Sequence, residues 1–215
     1  MNLFYTPTIE SGIALMEEEE AIHCTKVFRH KSGDIIYITN GSGGLFKAQI
    51  ITCEKKKCTL QILETLENND KPVPLHIAIA PTKNIARIEW FLEKATEAGI
   101  TTITPIICEH SERQNINMER LQRLMIAAMK QSLQCRLPIL SPVQDFKKII
   151  ANCNDELKMI AVCDKNAIPL AQTISKNKTT ALIIGPEGDF SPEEINFAAS
   201  HQFIPVSFGN NRFRT

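Results

Sequence analysis

The stretch Ile183-Ile184-Gly185-Pro186-Glu187-Gly188-Asp189-Phe190-Ser191-Pro192-Glu193-Glu194-Ile195 constrains this chain more than any other. It joins an apolar strand to a capped helix through a turn shaped for ligand contact. Ala181-Leu182-Ile183-Ile184 is a short apolar run of the kind that forms a strand buried on both faces. Gly185 and Gly188 permit angles and a close approach that a Cβ would block, and Pro186 fixes φ between them while removing a donor. Ser191 reads as a helix N-cap, Pro192 takes the first helical position, and Glu194 completes a capping box. An isolated Gly-Pro pair would mean only an ordinary strand-to-helix turn. The whole string instead predicts a binding loop of the nucleotide type.

The surrounding sequence supports that placement. Leu75–Ala80 is an apolar strand, and Ile85, Ile88, Phe91, Leu92, Ala95 and Ala98 mark one face of a helix ending at Gly99. Strands follow at Ile103–Cys108, Met159–Cys163, Ala181–Ile184 and Ile204–Phe208, with a helix traced by Met118, Leu121, Leu124, Met125, Ala128 and Ser132. Alternating strands and helices predict an α/β domain, a mostly parallel sheet covered on both faces. Its ligand belongs beyond the carboxyl ends of the strands, where Gly185 and Gly209 both fall.

The amino-terminal part has a different grammar. Asp34–Thr39, Leu45–Ile51 and Cys58–Leu63 alternate apolar and polar residues, as strands of a small antiparallel barrel or sandwich do. Asn40-Gly41-Ser42-Gly43-Gly44 between the first two is a hairpin connection. It opens no helix, so it is not a dinucleotide-binding loop. Glu17–Phe28 reads as one short helix, acidic at its start and with Lys26 near its end. The polar, proline-bearing Glu67–Pro74 marks the change of grammar, which predicts domains over residues 1–70 and 71–215.

Charge and cysteine content narrow the classes. The 215 residues carry 24 Lys+Arg and 24 Asp+Glu, so any nucleic-acid surface is local. Lys26-Val27-Phe28-Arg29-His30-Lys31 is one candidate patch, and Lys55-Lys56-Lys57 reads as a solvated turn. Seven cysteines without a C-x-x-C pair predict reduced thiols, neither a metal site nor a disulfide framework. No apolar run is long enough to span a bilayer, and the first residues lack signal-peptide features, so the expected compartment is the cytoplasm.

Gly185-Pro186-Glu187-Gly188 together with Val206-Ser207-Phe208-Gly209-Asn210-Asn211-Arg212-Phe213-Arg214-Thr215 resembles the paired signature of the 16S ribosomal RNA uridine N3-methyltransferases, a family of the SPOUT superfamily. His23, Val27, Phe28, Arg29, Gly33 and Asp34 resemble its amino-terminal domain, and Lys94–Gly99 and Gln131-Ser132 resemble two of its helical motifs. The resemblance covers essentially the whole chain. It implies a PUA-like β-barrel that holds RNA, followed by a SPOUT α/β domain with a trefoil knot. It implies S-adenosylmethionine as cofactor, held by Ile184, Gly185, Pro186, Glu187, Gly188, Ser207, Phe208, Gly209, Arg212, Phe213 and Arg214. It also implies a homodimer acting on 16S ribosomal RNA or the small ribosomal subunit, with no metal and no membrane. Asp189 stands where the family commonly has Gly, and Gln134 where it often has Arg, with Arg136 two residues further on. The family continues with Glu-Thr-Ala and a closing helix where this sequence stops at Thr215, so an open, weak cofactor pocket is the expectation for the 215-residue form.

The chemistry this implies is loss of the uracil imide proton and stabilisation of the anion by donors aimed at its oxygens. Arg214 is the first candidate and Arg212 the alternative. Glu187 reads as an acceptor for backbone N–H groups. Lys94 and Glu97 form a helix-surface pair, while Lys83 and Arg87, with Arg29 and His30, are the candidates for RNA contact. The rival readings are an RNA-binding protein of the same fold without cofactor binding, and a SPOUT methyltransferase acting on transfer RNA.

Overall fold

The computed structural model describes residues 2–54, 56–66, 73–164, 166–175 and 178–209. The chain resolves into two compact units, Met1–Pro72 with Met125–Leu137, and Val73–Leu124 with Pro138–Thr215.

The first unit is built on a six-stranded sheet. Its strands are β1 (Leu3–Tyr5), β2 (Ile9–Glu10), β3 (Ile13–Glu17), β4 (Ile35–Thr39), β5 (Leu45–Glu54) and β6 (Lys57–Leu66), in the order β1-β4-β5-β6-β3-β2. Every pair is antiparallel except β1 with β4, which run parallel, a departure from the all-antiparallel expectation. Alternate residues Ile36, Ile38, Ala48, Ile50, Cys58 and Leu60 point inward and pack with Phe4, Met16 and Cys24.

Glu17–Phe28 is not one regular helix. Glu17 still belongs to β3; α1 (Glu18–Ile22) then widens into a π-turn over His23–Val27. The Thr25 hydroxyl donates to Ala21 O (2.8 Å), engaging the carbonyl that an α-helical Thr25 N–H would use. The thiol expectation is also corrected. Cys53 and Cys58 are register partners across β5 and β6 and form a disulfide, because the hairpin runs further toward its tip than the alternation indicates. Cys24, Cys108, Cys135 and Cys153 are free and buried, and Cys163 is free and exposed.

The hairpin loop between β4 and β5 is gripped within this unit by residues 135–137. Gly43 N donates to Cys135 O (2.7 Å), Leu137 N to Gly41 O (2.8 Å) and the Arg136 guanidinium to Ser42 O (3.0 Å). Gly43 has φ +101°, and a Cβ there would lie 2.7 Å from the Arg136 guanidinium. Arg136 therefore serves the hairpin.

The second unit holds β7 (Val73–Ile79), α2 (Ile85–Glu97), β8 (Ile100–Ile107) and the start of α3 (Met118–Gln131), whose later turns cluster with the first unit. It continues through β9 (Ile139–Leu140), β10 (Gln144–Asp145), α4 (Phe146–Asn152), β11 (Leu157–Ala161), β12 (Ile168–Pro169), α5 (Leu170–Thr173), β13 (Thr180–Ile184), α6 (Pro192–Ser200) and β14 (Ile204–Ser207). Strand order is β10-β8-β7-β13-β11-β14-β12, with β9 beside β8, and every pair is parallel. The strand period of two splits the apolar residues between two faces. Ala78, Ile160, Ala181 and Ile183 pack with α4 and α6 on one, while Leu157, Met159, Leu182 and Val206 pack with Leu170 of α5 on the other. Asn84 caps α2 by accepting from Ala86 N, and Gly99 follows at φ +77°.

Candidate active site

Parallel pairing puts the ligand edge of the second unit in one place. Ile79 is in register with Ile184, Ile184 with Ala161, and Ala161 with Val206. The segments that follow β7, β13, β11 and β14 therefore leave the sheet on the same edge, the position where open α/β sheets bind ligands.

The β13–α6 loop is tied down at each step. Ala80 N donates to Ile184 O (2.9 Å), and the Glu187 carboxylate accepts from Lys83 N (3.0 Å), so Glu187 acts as a backbone acceptor. Gly185 and Pro186 are buried, whereas Glu187 and Gly188 are exposed. A Cβ on Gly185 would meet the Phe190 ring at 3.0 Å, and one on Gly188 would meet His110 Cβ at 3.0 Å. Both missing side chains thus make room for protein neighbours, and the loop lies flat against them.

Asp189 has φ +61°, the left-handed region that glycine enters without penalty and Asp tolerates better than most residues. Its carboxylate accepts from Phe190 N (2.8 Å) and Cys163 N (3.3 Å), joining this loop to the segment after β11. Its carbonyl lies 3.1 Å from His110 Nδ1.

The capping box forms as the sequence indicates, with Glu194 N donating to Ser191 Oγ (3.2 Å) and Ser191 N to Glu194 Oε2 (3.0 Å). Glu194 is 4% exposed, and its other oxygen accepts from Glu109 N (2.9 Å), binding the end of β8 to the start of α6. Arg113 fixes the β7–α2 loop from outside, donating to Thr82 O (3.1 Å) and Lys83 O (2.6 Å).

Between the segment after β11 and the start of α6 is an open cleft of about 550 Å³, lined by Val162, Cys163, Asp164, Asn166, Asp189 and Ile195. Of the sequence-predicted cofactor residues, Ile184 through Gly188 lie on the same sheet edge without lining this cleft. Ser207 ends β14 in register with Pro169, and Phe208 and Gly209 are exposed beyond it, Gly209 at φ +128°. Arg212, Phe213 and Arg214 lie outside the described residues. Lys83 is exposed and paired with Glu112 (2.8 Å), a hydrogen-bonded contact that raises the lysine's pKa; Arg87 is half-buried at the start of α2. Lys94 pairs with Glu97 and Glu93, each at 2.9 Å. Arg29 and His30 belong to the first unit.

Arg113, His110, Asp164 and Asn166 were not singled out from the sequence. The signal for the first two was the polar run Glu109–Asn117 between a strand and a helix, a long loop of the kind that carries function. Among the described residues, no group of three or more His, Cys, Asp or Glu could hold a metal ion, and no helix is long and apolar enough to cross a membrane.

A parallel α/β sheet with a glycine-bearing loop at its carboxyl edge, preceded by a small β unit, is the architecture of a SPOUT-type domain with a PUA-like amino-terminal domain. Comparison with known proteins agrees. Residues 69–215 match the RNA methyltransferase domain family, and residues 17–63 match the RNA methyltransferase PUA domain. The chain belongs to the RNA methyltransferase family that includes the proteins named ribosomal RNA small subunit methyltransferase E. The Rickettsia conorii protein of that name is 28% identical over 212 residues, spanning 95% of this chain and 84% of the relative. A probable rRNA-methyltransferase from Porphyromonas gingivalis has 37% identity and a TM-score of 0.90, covering 100% of this chain and 92% of that one. A putative methyltransferase from Legionella pneumophila, solved with bound cofactor SAM, has 28% identity and a TM-score of 0.88, covering 100% and 91%.

Proposed function

We propose that this chain methylates N3 of a uridine in 16S ribosomal RNA, with S-adenosylmethionine as methyl donor. The observation that carries this reading is the shared carboxyl edge of β7, β13, β11 and β14, from which the glycine loop Gly185–Gly188 and the Ser207–Gly209 segment both leave the sheet. When bound, S-adenosylmethionine supplies an activated methyl group, so the protein's own work is orientation and charge.

Within this reading, the β13–α6 loop and residues 207–214 wall the cofactor. Arg214, or alternatively Arg212, directs donors at the uracil oxygens and stabilises the anion left when the imide proton departs. Residues 1–70 form the RNA-holding domain, where Arg29 and His30 contact RNA, and residues 71–215 form the methyltransferase domain, where Lys83 and Arg87 add phosphate contacts. A trefoil knot, a homodimer and a cytoplasmic location complete the proposal. Calorimetric titration of the natural gene product with S-adenosylmethionine tests it: saturable binding supports the enzyme, whereas RNA binding without cofactor binding would make the protein a scaffold.

A further inference from the structure

Lys26-Val27-Phe28-Arg29-His30-Lys31 carries three formal positive charges and no acid. Lys26, Val27, Phe28, Arg29 and Lys31 are all exposed. The backbone here closes the π-turn, with Phe28 N donating to His23 O and His30 N to Cys24 O, both at 3.1 Å. Arg29 follows the turn at φ +58°, the left-handed position that glycine fills at many helix ends and that a side chain disfavours. Stability alone does not favour an arginine there.

The aromatic groups beside it are held from behind. Phe28 is 37% exposed, and its ring is met edge-on by buried Phe4 (5.5 Å, 82°) and by His23 (4.9 Å, 68°). The His30 ring lies nearly parallel to it, at 26° and 6.2 Å. Asp34 fixes His30 through Nδ1 (3.2 Å) and accepts from Lys31 N with the same oxygen (2.9 Å). A braced aromatic surface among cations matches a flat π-system that carries a phosphate.

We propose that Phe28 and His30 form a stacking surface for an unpaired RNA base, and that Arg29 holds a phosphate beside it. This rests on the RNA methyltransferase reading and specifies the element gripped by the first unit: single-stranded nucleotides. Charge argues against a second copy as the occupant, since a symmetric contact would set Lys26, Arg29 and Lys31 against themselves.

The test uses the natural gene product and two fluorescent probes, an oligouridylate of about ten nucleotides and an RNA duplex of equal length. Phe28→Leu is expected to weaken single-strand binding about 5- to 150-fold, the effect of one lost base stack, and to leave duplex binding unchanged. Phe28→Trp is expected to retain single-strand binding, which keeps the test decisive if the leucine variant misfolds. Arg29→Gly is expected to raise the melting temperature while reducing the salt slope of binding by about one. Wild-type affinity in Phe28→Leu, equal loss on both probes, or no binding of the oligouridylate by the wild type would overturn the proposal. So would loss of a dimer in Phe28→Leu by sedimentation, which would make the patch an interface. A parallel S-adenosylmethionine titration separates the two readings: failure there defeats the methyltransferase assignment and leaves the RNA result standing.

Discussion

Glu194→Ala tests whether one buried carboxylate holds the candidate site together. The substitution removes the acceptor for two backbone donors, Ser191 N–H and Glu109 N–H, which lie 3.0 and 2.9 Å from its oxygens. Ser191 is 2% exposed, so its N–H is stranded, whereas Glu109 is exposed and recovers part of its bond from water. At about 1–3 kcal/mol for a stranded donor and about 1 kcal/mol for the other, the cost is roughly 2–4 kcal/mol. Glu194→Gln keeps one carbonyl acceptor and loses about half as much. Urea unfolding is followed by far-ultraviolet circular dichroism, because the sole tryptophan, Trp90, is already 63% exposed and its emission would change little. With a urea slope of about 2 kcal/mol per M, the midpoint of the alanine variant falls by about 1–2 M. Because the lost bonds join β8 to the β13–α6 loop, cofactor affinity should fall as well. A loss under about 1 kcal/mol with unchanged cofactor affinity would reduce Glu194 to an ordinary helix cap and refute the reasoning.

Burial lowers the pKa of His76, with Asp155 at 3.9 Å opposing the shift. Because the unfolded state binds this proton more readily, stability should fall as pH drops below about 6.5, and His76→Gln should flatten that slope in urea midpoints measured between pH 7.5 and 5. Arg113→Met removes the donors to Thr82 and Lys83 carbonyls; S-adenosylmethionine affinity should fall several-fold by calorimetry, and an unchanged value would make the clip structural only. Arg214→Ala should lower the single-turnover methylation rate with RNA saturating, and a loss confined to RNA affinity would assign the arginine to phosphate holding.

Local rules carried much of the fold. The parallel strands follow from apolar runs alternating with helical faces, and Ser191, Pro192 and Glu194 set their helix start through chemistry confined to four residues. What lay beyond local rules depends on distant partners. Glu194 reads as a cap, yet its second oxygen serves Glu109, 85 residues away. Gly43 reads as hairpin chemistry, but the space it leaves is taken by Arg136, and residues 125–137 join the first unit although they follow the second unit's first strands. Asp189 looked like a departure from a glycine pattern; its positive φ and its bond to Cys163 N account for it. The glycines of the loop were read as leaving room for a ligand, whereas the space each leaves is taken by protein, Phe190 at Gly185 and His110 at Gly188.

Nucleoside analysis by mass spectrometry after a single turnover asks whether the protein transfers a methyl group to uridine N3. The natural gene product is incubated with small ribosomal subunits lacking the modification and with methyl-labelled S-adenosylmethionine. The account predicts one labelled methyl per 16S ribosomal RNA, recovered as N3-methyluridine and abolished by Arg214→Ala combined with Arg212→Ala. Label recovered on ribose or on another base, or no transfer by a protein that binds the cofactor, would contradict it.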